Sequence, residues 1–80
     1  MRLAGKTIVV TGGSSGIGRA MSLAFSREGA DVVIGDVRHT PREGGTPTDL
    51  LIGDEGGSAL YIEADVSRWD DIGRLVSAAE

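Results

Sequence analysis

Three short apolar runs recur along the chain, separated by stretches in which apolar residues return every three or four positions. Residues 6–11 (Lys-Thr-Ile-Val-Val-Thr) are β-branched with a continuous apolar centre, the pattern of a strand covered on both faces of a parallel sheet. Glycines end it. From Ile17 to about Glu28, the residues Ile17, Ala20, Met21, Ala24 and Phe25 fall at helical spacing and predict a helix that buries this stripe, with Gly29 where a C-terminal capping glycine belongs. Asp31 to Asp36 repeats the buried-strand signature, and a connection of this length between the two strands implies a helical crossover and parallel pairing. Residues 37–46 contain a proline, two glycines and no periodicity, which predicts a surface loop.

A short helix is predicted next, around Leu50 and Leu51. Thr46 serves as its N-cap, Pro47 stands at N1, Asp49 follows three residues after the cap, and Gly56 lies beyond the end. Residues 59–64 make a third strand. Ser67 with Asp70 repeats the capping-box spacing, and Trp69, Ile72, Leu75 and Ala79 carry an apolar stripe along a last helix. The sum is an α/β chain of order βαβαβα. No repeat, linker or second domain interrupts it, and it reads as cut short, ending in or just after a helix.

Composition narrows the chemistry. The 80 residues have 40% hydrophobic and 25% charged side chains, within the range of ordinary globular proteins. A domain of this size buries only about 60% of the surface exposed by its unfolded chain, so the core is thin. There is no cysteine, hence no disulfide, thiol nucleophile or Cys-based zinc site, and the single His39 cannot build a multi-histidine metal site. The longest apolar runs are strand-sized and the first residues lack an export signal, so a cytoplasmic protein with no membrane partner is expected. A net charge of −4 argues against nucleic-acid binding. It does not exclude an anionic cofactor, because backbone N–H groups at a helix N-terminus hold phosphates whatever the net charge.

The 13 glycines are roughly double the average usage of about 7% and matter most between residues 11 and 18. Binding a dinucleotide pyrophosphate requires a tight turn off a strand, backbone that can touch phosphate, and a helix N-terminus aimed at it. In Thr11-Gly12-Gly13-Ser14-Ser15-Gly16-Ile17-Gly18, Gly12 makes the turn, Gly16 admits the pyrophosphate and Gly18 lets the helix pack tightly on the sheet. Ser14 and Ser15 add short hydroxyls. Asp36 ends the second strand 18 residues after Gly18, close to the roughly 20 expected of an acid that holds the ribose. A carboxylate there accepts from both ribose hydroxyls of NAD but opposes the 2′-phosphate of NADP, so NAD is the expected cofactor and NADP the less favoured one. Arg38 and Arg42 read as solvated loop charges.

Thr-Gly-x-x-x-Gly-Ile-Gly resembles the cofactor fingerprint of the short-chain dehydrogenase/reductase family, in its single-domain branch, and the likeness covers all eighty residues. The resemblance implies a Rossmann fold, here the first three strands of a doubly wound sheet in the order 3-2-1, with residues 1–80 forming the N-terminal part of an NAD(P)-binding domain. It also implies that Ser14, Ser15 and Ile17 contact the phosphates or the adjacent ribose. Asp65 and Val66 match the family's Asp-Val pair beside the adenine; on spacing alone Asp65 could equally cap a turn.

The family's Tyr-x-x-x-Lys pair, its catalytic serine and its Asn-Asn-Ala-Gly segment are missing. Tyr61 is followed four residues on by Asp65 instead of lysine and lies in a strand, and Lys6 precedes the first strand. No catalytic residue is therefore expected in this chain. By resemblance, the full-length enzyme interconverts an alcohol and a carbonyl by hydride transfer and forms homo-oligomers, while this part supplies the adenosine- and pyrophosphate-binding half and is inactive alone. Two rival readings are a non-catalytic nucleotide-binding module acting with a partner and a methyltransferase fragment, the latter disfavoured because its glycine loop has tighter Gly-x-Gly spacing. Gly5-Lys6-Thr7 imitates the end of a P-loop, but it precedes a strand instead of following one.

Overall fold

The computed structural model describes residues 2–79. The elements follow in the order β1 (Thr7–Thr11), α1 (Gly16–Arg27), β2 (Asp31–Asp36), α2 (Thr48–Asp54), β3 (Ser58–Glu63) and α3 (Trp69–Ala79). The strands form one parallel sheet in the order β1-β2-β3, with Val9 opposite Val33 and Val33 opposite Leu60. This is the βαβαβα arrangement and strand order expected of half a Rossmann sheet.

Period-two alternation in β2 supplies both faces of the core. Val32 and Ile34 point to the side of α1 and α2, where they pack with Val10, Ala30 and Ile52; Val33 points to the other side and packs with Ala64 and with Leu75 of α3. Each such side chain contributes about 1.5–3 kcal/mol when fully buried. Both α1 and α2 end in the same way. The N–H of Gly29 donates to Ser26 O and that of Ala30 to Phe25 O, while Gly56 and Gly57 repeat the pattern on Gly53 O and Ile52 O. These are Schellman closures, and they satisfy carbonyls that the helix ends would leave bare.

Four expectations are corrected in detail. Of the α1 stripe only Phe25 packs against the core. Ile17 is 81% exposed and Met21, Ala20 and Ala24 face outward, whereas the side on the sheet carries the buried Ser22 with half-buried Leu23 and Phe25. Ser22 lies where the helix approaches the glycine turn closely, and its small size fits there. Strand β1 is fully buried on one face only: Val10 is buried but Val9, on the side of α3, is 36% exposed, and among the described residues β1 pairs on one side alone.

At α2, Pro47 is the N-cap in extended geometry (φ −52°, ψ 145°) and Thr48 is the first helical residue, so Thr46 lies outside the helix. The carboxylate of Asp49 turns to His39 Nε2 (2.6 Å) instead of capping. Ahead of α3 the Ser67–Asp70 capping box does not form, and the bonds there are made by Asp65 and Asp71. Asp71 Oδ2 accepts from the Asp65 N–H (2.8 Å), while the Ser67 hydroxyl is drawn back onto Asp65 Oδ1 (2.6 Å). Leu75 carries the buried side of α3, and Trp69 projects into solvent at 83% exposure.

Ile34 is the hub of the larger core and is wholly buried. Ile34→Ala is expected to lower unfolding stability by about 2–5 kcal/mol, measured as a shift in the denaturant midpoint of the intact protein. A change below 1 kcal/mol would mean that the surrounding side chains collapse into the space.

Candidate functional site

The carboxyl ends of the three parallel strands share one rim, the edge at which open α/β sheets place their ligands. The ladder runs one step past β1, with Gly12 N–H donating to Gly35 O (2.7 Å), and one step past β3, with Ala64 N–H donating to Asp36 O (2.9 Å). The glycine-rich turn, Asp36 and the Ala64–Val66 segment thereby emerge at the same edge.

Within the turn, helix α1 comes down onto the strand that precedes it. A Cβ built on Gly18 would overlap the Gly12 carbonyl oxygen and stand 2.7 Å from the Gly12 carbonyl carbon. Only a residue without a side chain fits. Gly12 itself has φ +69°, the left-handed conformation that glycine adopts most readily. The turn is braced from behind by α2: Thr48, fully buried, donates its hydroxyl to Gly13 O (2.9 Å) and accepts from Arg19 Nη1 (3.0 Å). Ser22 closes the near side by donating to Gly18 O (2.8 Å).

The amino end of α1 has no cap from its own first turn. Ser15 is the N-cap but makes no side-chain capping bond, and the first turn holds no acidic residue. Ser14 is 1% exposed, and its hydroxyl oxygen has no hydrogen-bond partner among the described residues. A buried orphan hydroxyl costs about 1–3 kcal/mol, so it points to an acceptor or donor supplied from outside the chain. Unpaired helix donors, a glycine-walled approach and an orphan serine together suit a phosphate group.

Asp36 faces this turn. Its Oδ2 accepts from the Ser14 N–H at 3.2 Å and it is half-buried, while its own carbonyl is held by the Tyr61 hydroxyl (2.9 Å). Burial raises the Tyr61 pKa, and the nearby Glu63, Asp36 and Asp49 carboxylates raise it further; with its ring tilted against His39 at 4.5 Å, Tyr61 is a packing and bracing residue. Gly12, Ser14, Ser15, Gly16, Gly18 and Asp36 are thus gathered in one place. Ile17 sits at the mouth with its side chain in solvent.

Asp65 and Val66 lie on the same rim, but the bonds of Asp65 are local. Its Oδ1 accepts from the N–H (2.9 Å) and the hydroxyl (2.6 Å) of Ser67, and this pair holds its pKa below the usual carboxylate range, the hydroxyl foremost. It does cap a turn. Beside it a cleft of about 440 Å³ opens among Val37, Glu63, Asp65 and Arg68. A slightly larger hollow, about 480 Å³, lies at the opposite edge of the sheet near Gly29 and Gly57, away from every residue of the glycine turn. Among the described residues no group of three or more His, Cys, Asp or Glu is placed to hold a metal.

Thr48, Arg19 and Glu43 are site neighbours that sequence reasoning did not single out. Thr48 had a weak signal in following Pro47, but its bond to Gly13 spans 35 positions and no local pattern encodes it. Arg38 and Arg42 are exposed as expected, Arg38 donating to Thr40 O.

Residues 6–80 match the family model described as short chain dehydrogenase. The chain belongs to the short-chain dehydrogenase family. It is 40% identical over 77 residues to glucose 1-dehydrogenase 2 of Bacillus subtilis, covering 96% of this chain and 29% of that protein. It is 42% identical over 77 residues to 3beta-hydroxysteroid dehydrogenase 1 of Eggerthella lenta, again covering 96% and 29%. Among solved structures, a short chain dehydrogenase from Mycobacterium avium superposes with a TM-score of 0.86 at 33% identity, covering 99% of this chain and 30% of that one. The chain therefore spans a little under a third of the relatives it matches. Membership implies a nicotinamide dinucleotide, NAD or NADP, as the cofactor and sets the methyltransferase reading aside. No helix among the described residues is long and apolar enough to cross a membrane.

Gly18→Ala is expected to cost about 1–3 kcal/mol of stability through overpacking. Gly53→Ala, where an added Cβ meets nothing within 4 Å, is expected to add about 0.5–1 kcal/mol by removing a glycine from a helix. Thermal melts of the two variants would therefore move in opposite directions.

Proposed function

We propose that residues 1–80 form the N-terminal part of an NAD(P)-binding Rossmann domain that holds the adenosine and pyrophosphate of NAD in an enzyme interconverting an alcohol and a carbonyl by hydride transfer. One observation carries this reading: the Asp36 carboxylate ends β2 within hydrogen-bonding distance of Ser14 in the glycine turn, so a ribose acceptor and a phosphate cradle adjoin. Gly12, Ser14, Ser15, Gly16 and Gly18 line the pyrophosphate side, with Ile17 at the mouth. Asp36 takes the ribose hydroxyls, and Asp65 and Val66 border the adenine beside the 440 Å³ cleft. Like charge between Asp36 and a 2′-phosphate supports NAD over NADP.

The relatives named above bear names for a sugar and a steroid, both substrates with hydroxyl groups, which supports the alcohol–carbonyl class for the full-length protein. The family's Tyr-x-x-x-Lys pair is not among these 80 residues, which supports a cofactor-holding and not a proton-transferring role for them. The outward apolar residues Ile17 and Met21 and the half-paired β1 are surfaces of the kind that invite a covering partner.

Isothermal titration of the intact protein with NAD, NADP and S-adenosylmethionine tests the assignment. NAD is expected to bind more tightly than NADP, and Asp36→Ala to lower that preference by about tenfold or more, the effect of removing a like-charge contact. Binding of S-adenosylmethionine alone would refute the reading, and unchanged selectivity in the variant would remove Asp36 from its role.

A further inference from the structure

Residues 37–47 fold back over the glycine turn, carrying a carboxylate onto it. Pro41 is buried and anchors the segment. The Arg42 N–H donates to Ser15 Oγ (2.7 Å), and Glu43 Oε2 accepts from the Gly16 N–H at 3.0 Å. Gly16 is the first residue of α1, so the chain places its own anion on the helix donor that a pyrophosphate would use. The Glu43 carboxyl is held below the usual carboxylate range, chiefly by the Gly16 N–H and then by its own N–H, with smaller help from Arg19 and Ser15 against a desolvation penalty. It is ionised at neutral pH.

The stand-in fits only in part. With Glu43 in place, the buried Ser14 hydroxyl still has no partner, so the cradle offers more than the carboxylate uses. Glu43 is exposed and is followed by Gly44 and Gly45, so its side chain can leave for water while Pro41 stays anchored.

We propose that Glu43 is an affinity-setting residue: its carboxylate occupies the pyrophosphate position at the Gly16 amide, and a dinucleotide must displace it to bind. This rests on the cofactor reading above. One N–H cannot serve two anions, and two anions at that distance repel, so bound cofactor and docked Glu43 exclude each other. The strap formed by residues 37–47 then lowers affinity for ligands that carry phosphate and leaves those without phosphate unaffected.

The test is calorimetric titration of the intact wild-type protein, Glu43→Ala and Glu43→Gln with NAD, ADP-ribose and adenosine, together with the amide resonance of Gly16 by NMR. NAD and ADP-ribose are expected to bind about two- to fivefold more tightly to both variants, the fold-change typical of one exposed charge at a helix terminus. Adenosine should bind all three proteins equally. The Gly16 resonance should shift on substitution and, in the wild type, on addition of ADP-ribose. Equal or weaker dinucleotide binding by the variants would overturn the proposal while leaving the cofactor assignment intact, as would equal tightening for adenosine. Absence of dinucleotide binding in every protein would overturn both. Dinucleotide binding in the variants alone would be the strongest support.

Discussion

Helix α1 meets β1 so closely at Gly18 and Gly12 that a single added methyl group would collide with a backbone carbonyl. The rest of the site follows from this approach. It fixes the helix axis so that its first N–H groups point at the rim of the sheet, it leaves room only for the small Ser22 beside the glycine turn, and it leaves the Gly13 carbonyl to be satisfied by Thr48 from another helix. A side chain at Gly18 would push the helix outward, and the donors would then face solvent with no strand end beside them.

The architecture was legible because its signals are local. β-branched runs, crossover length and glycines at helix ends each act within a few residues, and they gave the order βαβαβα, the parallel sheet and the glycine turn. What escaped were relations across the chain. The helical period of Ile17, Ala20, Met21, Ala24 and Phe25 points all five inward, but only Phe25 goes in, and near the glycine turn the close approach admits Ser22 because it is small. Capping of α3 was read on Ser67 and Asp70 because both sit at the right spacing, yet Asp65, already turned toward Ser67, takes that hydroxyl first. Asp36 was found by its distance from the turn, whereas Thr48 and Glu43 act over 35 and 27 positions, and no periodicity reports that.

The loop after β2 shows how a chain handles donors it cannot pair internally. Helix α1 begins without a side-chain cap and without an acid in its first turn, so its N–H groups need acceptors from elsewhere. One is supplied from later in the sequence, where Glu43 takes the N–H of Gly16, and Asp36 likewise takes that of Ser14 in the turn just before the helix. Both are carboxylates, as the positive end of the helix dipole favours. The two are anchored differently. Asp36 is half-buried, and its own carbonyl is fixed by the Tyr61 hydroxyl and the Ala64 amide; Glu43 reaches in from an exposed loop.

That difference separates two roles for acids at one anion site. A carboxylate fixed at a strand end cannot withdraw when a phosphate arrives, so it must sit where the ligand presents hydroxyls, and it rejects a ligand with phosphate there. A carboxylate on an exposed loop can withdraw, and its effect is on affinity, since whatever binds must first replace its hydrogen bond. Asp36 has the first kind of anchorage and Glu43 the second, which is why the proposed roles differ, selection between dinucleotides for Asp36 and affinity for Glu43. The orphaned Ser14 hydroxyl lies between them and is satisfied by neither.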